Sequence, residues 1–167
     1  MFEFLIFSVF PAAMVLAGFS DLFSMKISNR LTLGFGAAFI VVAIWCGFDV
    51  QTILIHLSAG LAMLFVGFTL FALGWIGGGD AKFFAATAIW LGWTPLLEYA
   101  VWASMMGGAL TLALLFLRGM PLPAALHKET WALRLHDAKQ GVPYGVAMSV
   151  AGLILYPGLP LVPLLLQ

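Results

Sequence analysis

Two aspartates, Asp21 and Asp80, are the side chains of this sequence best placed to do chemistry. Each borders a long apolar stretch, where an ionisable group costs free energy and marks a functional site by default. Two carboxylates brought close cannot both ionise easily. One keeps its proton, and the pair can act as general acid and general base. In peptide hydrolysis one carboxylate activates a water while the other protonates or hydrogen-bonds the scissile carbonyl, and no metal is needed. The titration then belongs to the pair rather than to either residue. Gly77, Gly78 and Gly79 precede Asp80; such a run lets the backbone unwind and a substrate strand come close. A plainer reading makes Asp80 a helix N-cap and Asp21 a loop charge near Lys26. It explains Asp80 better than Asp21, because a carboxylate at a helix C-terminus opposes the helix dipole.

The elements that must position this pair are apolar. The chain is 63% hydrophobic and 8% charged, with seven basic and seven acidic side chains in 167 residues. Its mean hydropathy is +1.11. That is too little charge to cover a soluble domain of this size, so the bilayer is the expected solvent. A net charge of zero gives no support to nucleic-acid binding. The single cysteine, Cys46, excludes an internal disulfide and a Cys-cluster zinc site. The first twenty residues carry Glu3, no basic start and no clear small-x-small cleavage site. They read as a retained first span rather than a signal peptide.

Breaking the chain at its charges gives six apolar stretches, at residues 4–20, 31–48, 52–76, 83–97, 99–117 and 142–166. A spanning helix needs about 20 apolar residues, and most of the six reach that range. The fourth is short and ends near Pro95, and Pro157, Pro160 and Pro163 make the far end of the sixth irregular. The runs lack the alternation of a membrane barrel. The expectation is an all-α polytopic bundle of six transmembrane helices. Lys26, Arg30, Lys82, Arg118, Lys128, Arg134 and Lys139 then share one side, opposite Glu3, Asp49 and Glu98. The positive-inside rule makes the basic side cytoplasmic, with both termini on the non-cytoplasmic side and both aspartates at the cytoplasmic edge. Between Arg118 and Gly141, residues 124–139 suit a surface helix with Trp131 at the interface and Lys128, Arg134 and Lys139 toward anionic lipid.

At this point the residues resemble a known family. Gly77-Gly78-Gly79-Asp80 fits the Gly-x-Gly-Asp motif of intramembrane aspartyl proteases. Asp21, five residues, then Ile27-Ser28-Asn29 is similar to the first motif of the type IV prepilin (leader) peptidases, where Ile-Pro-Asn is common. Lys82 matches two residues after the second aspartate, and Pro143-Tyr144-Gly145 resembles the element that opens the last helix. The three elements occur in the family's order and extend over essentially the whole chain. The resemblance implies cleavage of the short basic leader from prepilin and pseudopilin substrates, each a basic segment followed by a hydrophobic helix. The place would be the cytoplasmic face of the inner membrane. Asp21 and Asp80 would be catalytic, with Ile27, Asn29, Gly77, Gly79, Lys82, Pro143, Tyr144 and Gly145 as motif or supporting residues. Ser28 in place of proline implies a looser turn, with Asn29 capping or orienting it.

The large bifunctional members carry a cytoplasmic insertion with paired cysteines and also N-methylate the pilin. Here the first such loop runs only from Leu22 to Arg30, with no cysteine pair. The expectation is one integral-membrane peptidase domain over residues 1–167, without methyltransferase domain, zinc or other cofactor. It is similar to the minimal branch that serves tight-adherence (Flp-type) pili. Archaeal preflagellin peptidases share the motifs. Presenilin-like proteases place a tyrosine before the first aspartate, where this chain has Ser20.

Other conspicuous residues read as structural. His56 is expected to be a buried or interfacial hydrogen bonder, and His127 and His136 lack metal-ligand spacing. Trp90, Trp93 and Trp102 read as anchors at the outer boundary. Gly107, Gly108, Ala85, Ala86 and Ala88 read as sites of close helix packing. Two rival classes remain open from the residues: a small proton- or ion-coupled transporter, for which unwound helices and carboxylates also suffice, and a non-catalytic subunit of a pilus or secretion assembly. A transporter often carries two related halves, and no such symmetry is visible.

Overall fold

A computed structural model describes residues 2–159, with side chains from residue 7 onward. Among the described residues every regular element is a helix, with no strand. Seven α-helices follow in order: α1 Phe2–Ser24, α2 Asn29–Trp45, α3 Val50–Ala72, α4 Gly78–Leu91, α5 Leu96–Arg118, α6 Thr130–His136 and α7 Tyr144–Leu155. Six of them occupy the six apolar stretches, and α6 lies in the polar segment after α5. The side chain of Glu3, and Pro160 and Pro163, fall outside the described residues.

Each boundary has a local cause. Met25, at φ 55°, ends α1 in the left-handed region that often closes a helix. Ser28 caps α2, its Oγ accepting the Leu31 N–H at 3.2 Å, and Asp49 caps α3 through the Thr52 N–H at 3.0 Å. Ser28 holds φ −71° and ψ 145°, a backbone that proline would also adopt. The cap is Ser28 rather than Asn29. Gly92, at φ 67°, ends α4, five residues before the sequence stretch runs out, because only glycine takes that conformation cheaply.

The central element is α4. It packs most closely on α3, and also on α2 and α7. Phe83, Ala85, Ala86, Thr87, Ala88, Trp90 and Leu91 are all buried on it, and a helix apolar on every side is a core helix. Small residues permit the approach of α3. A Cβ on Gly60 would come 2.2 Å from Ile89, and one on Gly67 would come 3.0 Å from Ala81. Beneath α4, Phe10, Phe35, Phe39 and Trp90 form an aromatic cluster, with Phe35 and Trp90 stacked at 5.1 Å. Trp90 is thus a core residue and not a boundary anchor; its indole N–H donates to the Phe35 carbonyl at 2.9 Å. Trp93 is exposed and donates to Ser58. His56 is buried, bonded through Nδ1 to the Ile89 carbonyl at 2.8 Å and stacked on Phe39. Of the two glycines on α5, Gly107 lies against the Tyr144 ring, whereas Gly108 faces open space.

Among the described residues, three helices are long and apolar enough to cross a membrane: Phe7–Ser24, Val50–Ala72 and Leu96–Arg118. The shorter apolar helix α2 and the α7 region Tyr144–Gly158 accompany them. With 14 residues, α4 rises only about 21 Å, less than the hydrocarbon thickness. Large apolar side chains such as Leu33, Phe65, Leu112 and Phe116 point outward, as a surface facing lipid requires.

The segment after α5 is more broken than a single helix over residues 124–139. A 3₁₀ turn at Ala124–Leu126 precedes the seven-residue α6. Arg118 holds the segment by donating to the carbonyls of Leu135, Gln140 and Gly141. Arg134 donates to the Ser24 carbonyl, and Trp131 meets Phe23 edge-on at 5.5 Å. Trp131 and Arg134 thus secure the segment to α1.

Candidate active site

The end of α1, the α1–α2 loop and the start of α4 enclose a cleft of about 570 Å³. Asp21 and Asp80 both line it, as do Ser20, Ser24, residues 25–29, Gly77–Gly79 and Lys82.

Asp21 sits one turn before the end of α1 and is buried. Its Oδ2 accepts the backbone N–H of Gly145 at 2.7 Å. That N–H belongs to the first turn of α7 and has no partner within the helix, so a helix start supplies the donor that a carboxylate on α1 needs. A Cβ on Gly145 would lie 2.7 Å from Ile27 Cδ1 and 2.8 Å from Asp21 Oδ2. Only glycine fits there. Pro143 is fully buried just before α7.

Asp80 is the third residue of α4, and its carboxylate turns back to the backbone of the N-cap residue Gly77. A Cβ on Gly77 would stand 2.8 Å from Asp80 Oδ2. Asp80 therefore resembles the third helical residue of a capping box while its carboxylate also lines the cleft. Asp80 is thus not the N-cap of α4, which is Gly77; it reaches back from the third helical position. The glycine run is not unwound: Gly78 and Gly79 already belong to α4, and Gly77 has φ −71°. Its glycines supply space. Gly77 makes room for the Asp80 carboxylate, and a Cβ on Gly79 would lie 3.4 Å from the Ile27 backbone N, where α4 meets the α1–α2 loop.

The supporting residues divide by position. Ile27 is buried under that loop, between Gly79 and Gly145. Lys82 Nζ donates to Asn29 Oδ1 at 3.0 Å, joining α4 to the start of α2 along the cleft wall. Tyr144 does not line the cleft; its ring lies against Gly107 and its hydroxyl is 3.5 Å from Thr111 Oγ1. Ser20 and Ser24 brace the loop. Ser20 Oγ donates to the Lys26 carbonyl at 2.7 Å, and Ser24 Oγ to the Ser20 carbonyl at 2.5 Å. Their place on either side of Asp21 near a helix end was the signal that could have found them.

A bundle of apolar helices that gathers two carboxylates into a polar cleft at one end defines an integral-membrane protein with an acidic site. Residues 8–112 match the model of the type IV leader peptidase family, and the chain belongs to that family. It is accordingly a peptidase of the prepilin type. The matched region contains both aspartates and Lys82 and stops short of α7. No curated protein and no solved structure matches the chain.

Proposed function

We propose that the protein is an aspartic-type intramembrane endopeptidase in which Asp21 and Asp80 form the catalytic pair. The observation that carries this reading is their shared cleft, in a chain of the leader peptidase family. In the proposed reaction one carboxylate takes a proton from water as its oxygen attacks the scissile carbonyl carbon. The other carboxyl gives its proton to the carbonyl oxygen. Collapse of the tetrahedral intermediate breaks the C–N bond, and the leaving amine receives a proton from the pair. The chain needs no metal or cofactor for these steps. Gly145 orients one carboxylate and Gly77 the other, and Lys82 with Asn29 holds the wall of the cleft.

The substrates we assign are prepilin-like proteins, Flp-type pilins and pseudopilins among them, which lose a short basic leader. The short α1–α2 loop and the missing cysteine pair support a single peptidase domain without methyltransferase activity. We place six spans in the inner membrane with both termini on the non-cytoplasmic side. The grouping of Lys26, Lys82 and Arg118 with the cleft end of the bundle supports cleavage at the cytoplasmic face. The test is direct. Purified protein in lipid vesicles is incubated with a prepilin carrying a basic leader, and the products are weighed by mass spectrometry. A shortened pilin and a free leader are expected. Intact substrate would overturn the reading, and solute flux in the same vesicles would favour a carrier.

A further inference from the structure

Asp80 borders two spaces. On one side lies the polar cleft. On the other lies an apolar groove of about 370 Å³ that ends at Asp80. Its walls are Met63, Val66 and Leu70 of α3 and Ala100 and Ser104 of α5, and Phe84 of α4 forms its floor. The groove exists because α3 packs chiefly on α4 and α5 chiefly on α7, which leaves the Phe84 side of α4 only partly covered between them. Ala100, Ala103 and Ser104 keep it open by being small.

Resting on the peptidase reading, we propose that this groove binds the apolar helix of the substrate, first turns inward, so that the chain preceding the helix passes Asp80 into the polar cleft. The end of the groove fits that occupant. The first turn of any helix carries unpaired N–H groups and the positive end of its dipole, and Asp80 stands where that turn would arrive. A lipid tail would bring nothing to satisfy a carboxylate. The length fits as well: Met63 to Leu70 on α3 spans about 10 Å, two turns of helix. Two turns present apolar side chains at i, i+3 or i+4 and i+7 to such a groove. A larger groove of about 730 Å³, between α2 and α3, borders Asn29 and Lys82 but neither aspartate. It serves as the internal control.

A photo-crosslinking side chain is placed at Val66 or Ser104, and in parallel at Leu33 or Leu61 of the control groove. The protein carries Asp21→Asn to hold the substrate uncut, in vesicles with a prepilin substrate. Adducts from positions 66 and 104 to the first two turns of the substrate helix are expected. Adducts from 33 and 61 alone, or to lipid alone, would overturn the proposal. In the cleaving enzyme, Val66→Trp and Ser104→Trp should raise KM about tenfold with kcat little changed, whereas Leu61→Trp should leave KM alone. Unchanged KM in both groove variants would also overturn it. A wild-type enzyme that cuts no prepilin would instead defeat the peptidase reading, and the crosslink pattern reads the groove whether or not cutting occurs.

Discussion

The backbone N–H of Gly145 donates to Asp21 Oδ2 at 2.7 Å across 124 positions of sequence. The first turn of α7 thereby fixes a carboxylate carried by α1. Because a Cβ on Gly145 would approach both Asp21 and Ile27 to under 3 Å, Gly145→Ala must push Asp21 or the α1–α2 loop aside. The expected result is a loss of cleavage of about a hundredfold with the protein still extractable and folded, since a misplacement of about 1 Å costs that much. Kinetics of the purified variant, with circular dichroism as the folding control, checks this.

Cleavage should depend on pH as a bell. The active form of a carboxyl pair holds one proton, so the rate rises as the pair loses its first proton and falls as it loses its second. Measured kcat/KM across the acid-to-neutral range should show both limbs. A rate that rises to a plateau without an alkaline limb would argue for a single titrating group.

Lys82 and Asn29 should behave as one unit. Lys82→Met and Asn29→Ala each remove one end of a 3.0 Å hydrogen bond between α4 and α2. Each is expected to lower cleavage about fivefold, and the double variant to be no worse than either alone. Additive losses in the double-mutant cycle would mean that the two side chains act separately.

Much of the helix order was legible because charges and glycines punctuate this chain so sparsely. Asp49 stands at the start of α3 because it caps it, and Arg118 is the last residue of α5 before the C-cap Gly119. The polar residues around Asp21 and Asp80 also pointed toward one place. Hydropathy could not separate a core helix from a span. The stretch around Trp90 is the shortest of the six and reads as a span, yet α4 is short and enclosed, and Trp90 bonds to Phe35 instead of reaching a headgroup. The glycine run misled for a related reason. Glycine permits both unwinding and close approach, and only the positions of Asp80 and Ile27 show that the second applies. Pairing of Gly145 with Asp21 depends on how α7 returns beside α1, which no local pattern encodes.

Ser28 gives a stability test. Ser28→Ala removes the cap on α2 and should cost about 1 kcal/mol. Ser28→Pro also loses the hydroxyl, but its fixed φ suits the backbone already present and stiffens the unfolded chain. It should therefore be the more stable of the two variants. Thermal unfolding in detergent ranks them.

The central claim is that Asp21 and Asp80 act together. The measurement that tests it most directly is cleavage of a prepilin in lipid vesicles by Asp21→Asn and Asp80→Asn, each shown to be folded and inserted. Asparagine keeps the shape of the side chain and removes its ionisation. The account predicts that both variants leave the substrate intact under conditions where the wild-type protein cuts it completely. Leader release by either variant at a rate near that of the wild type would contradict it.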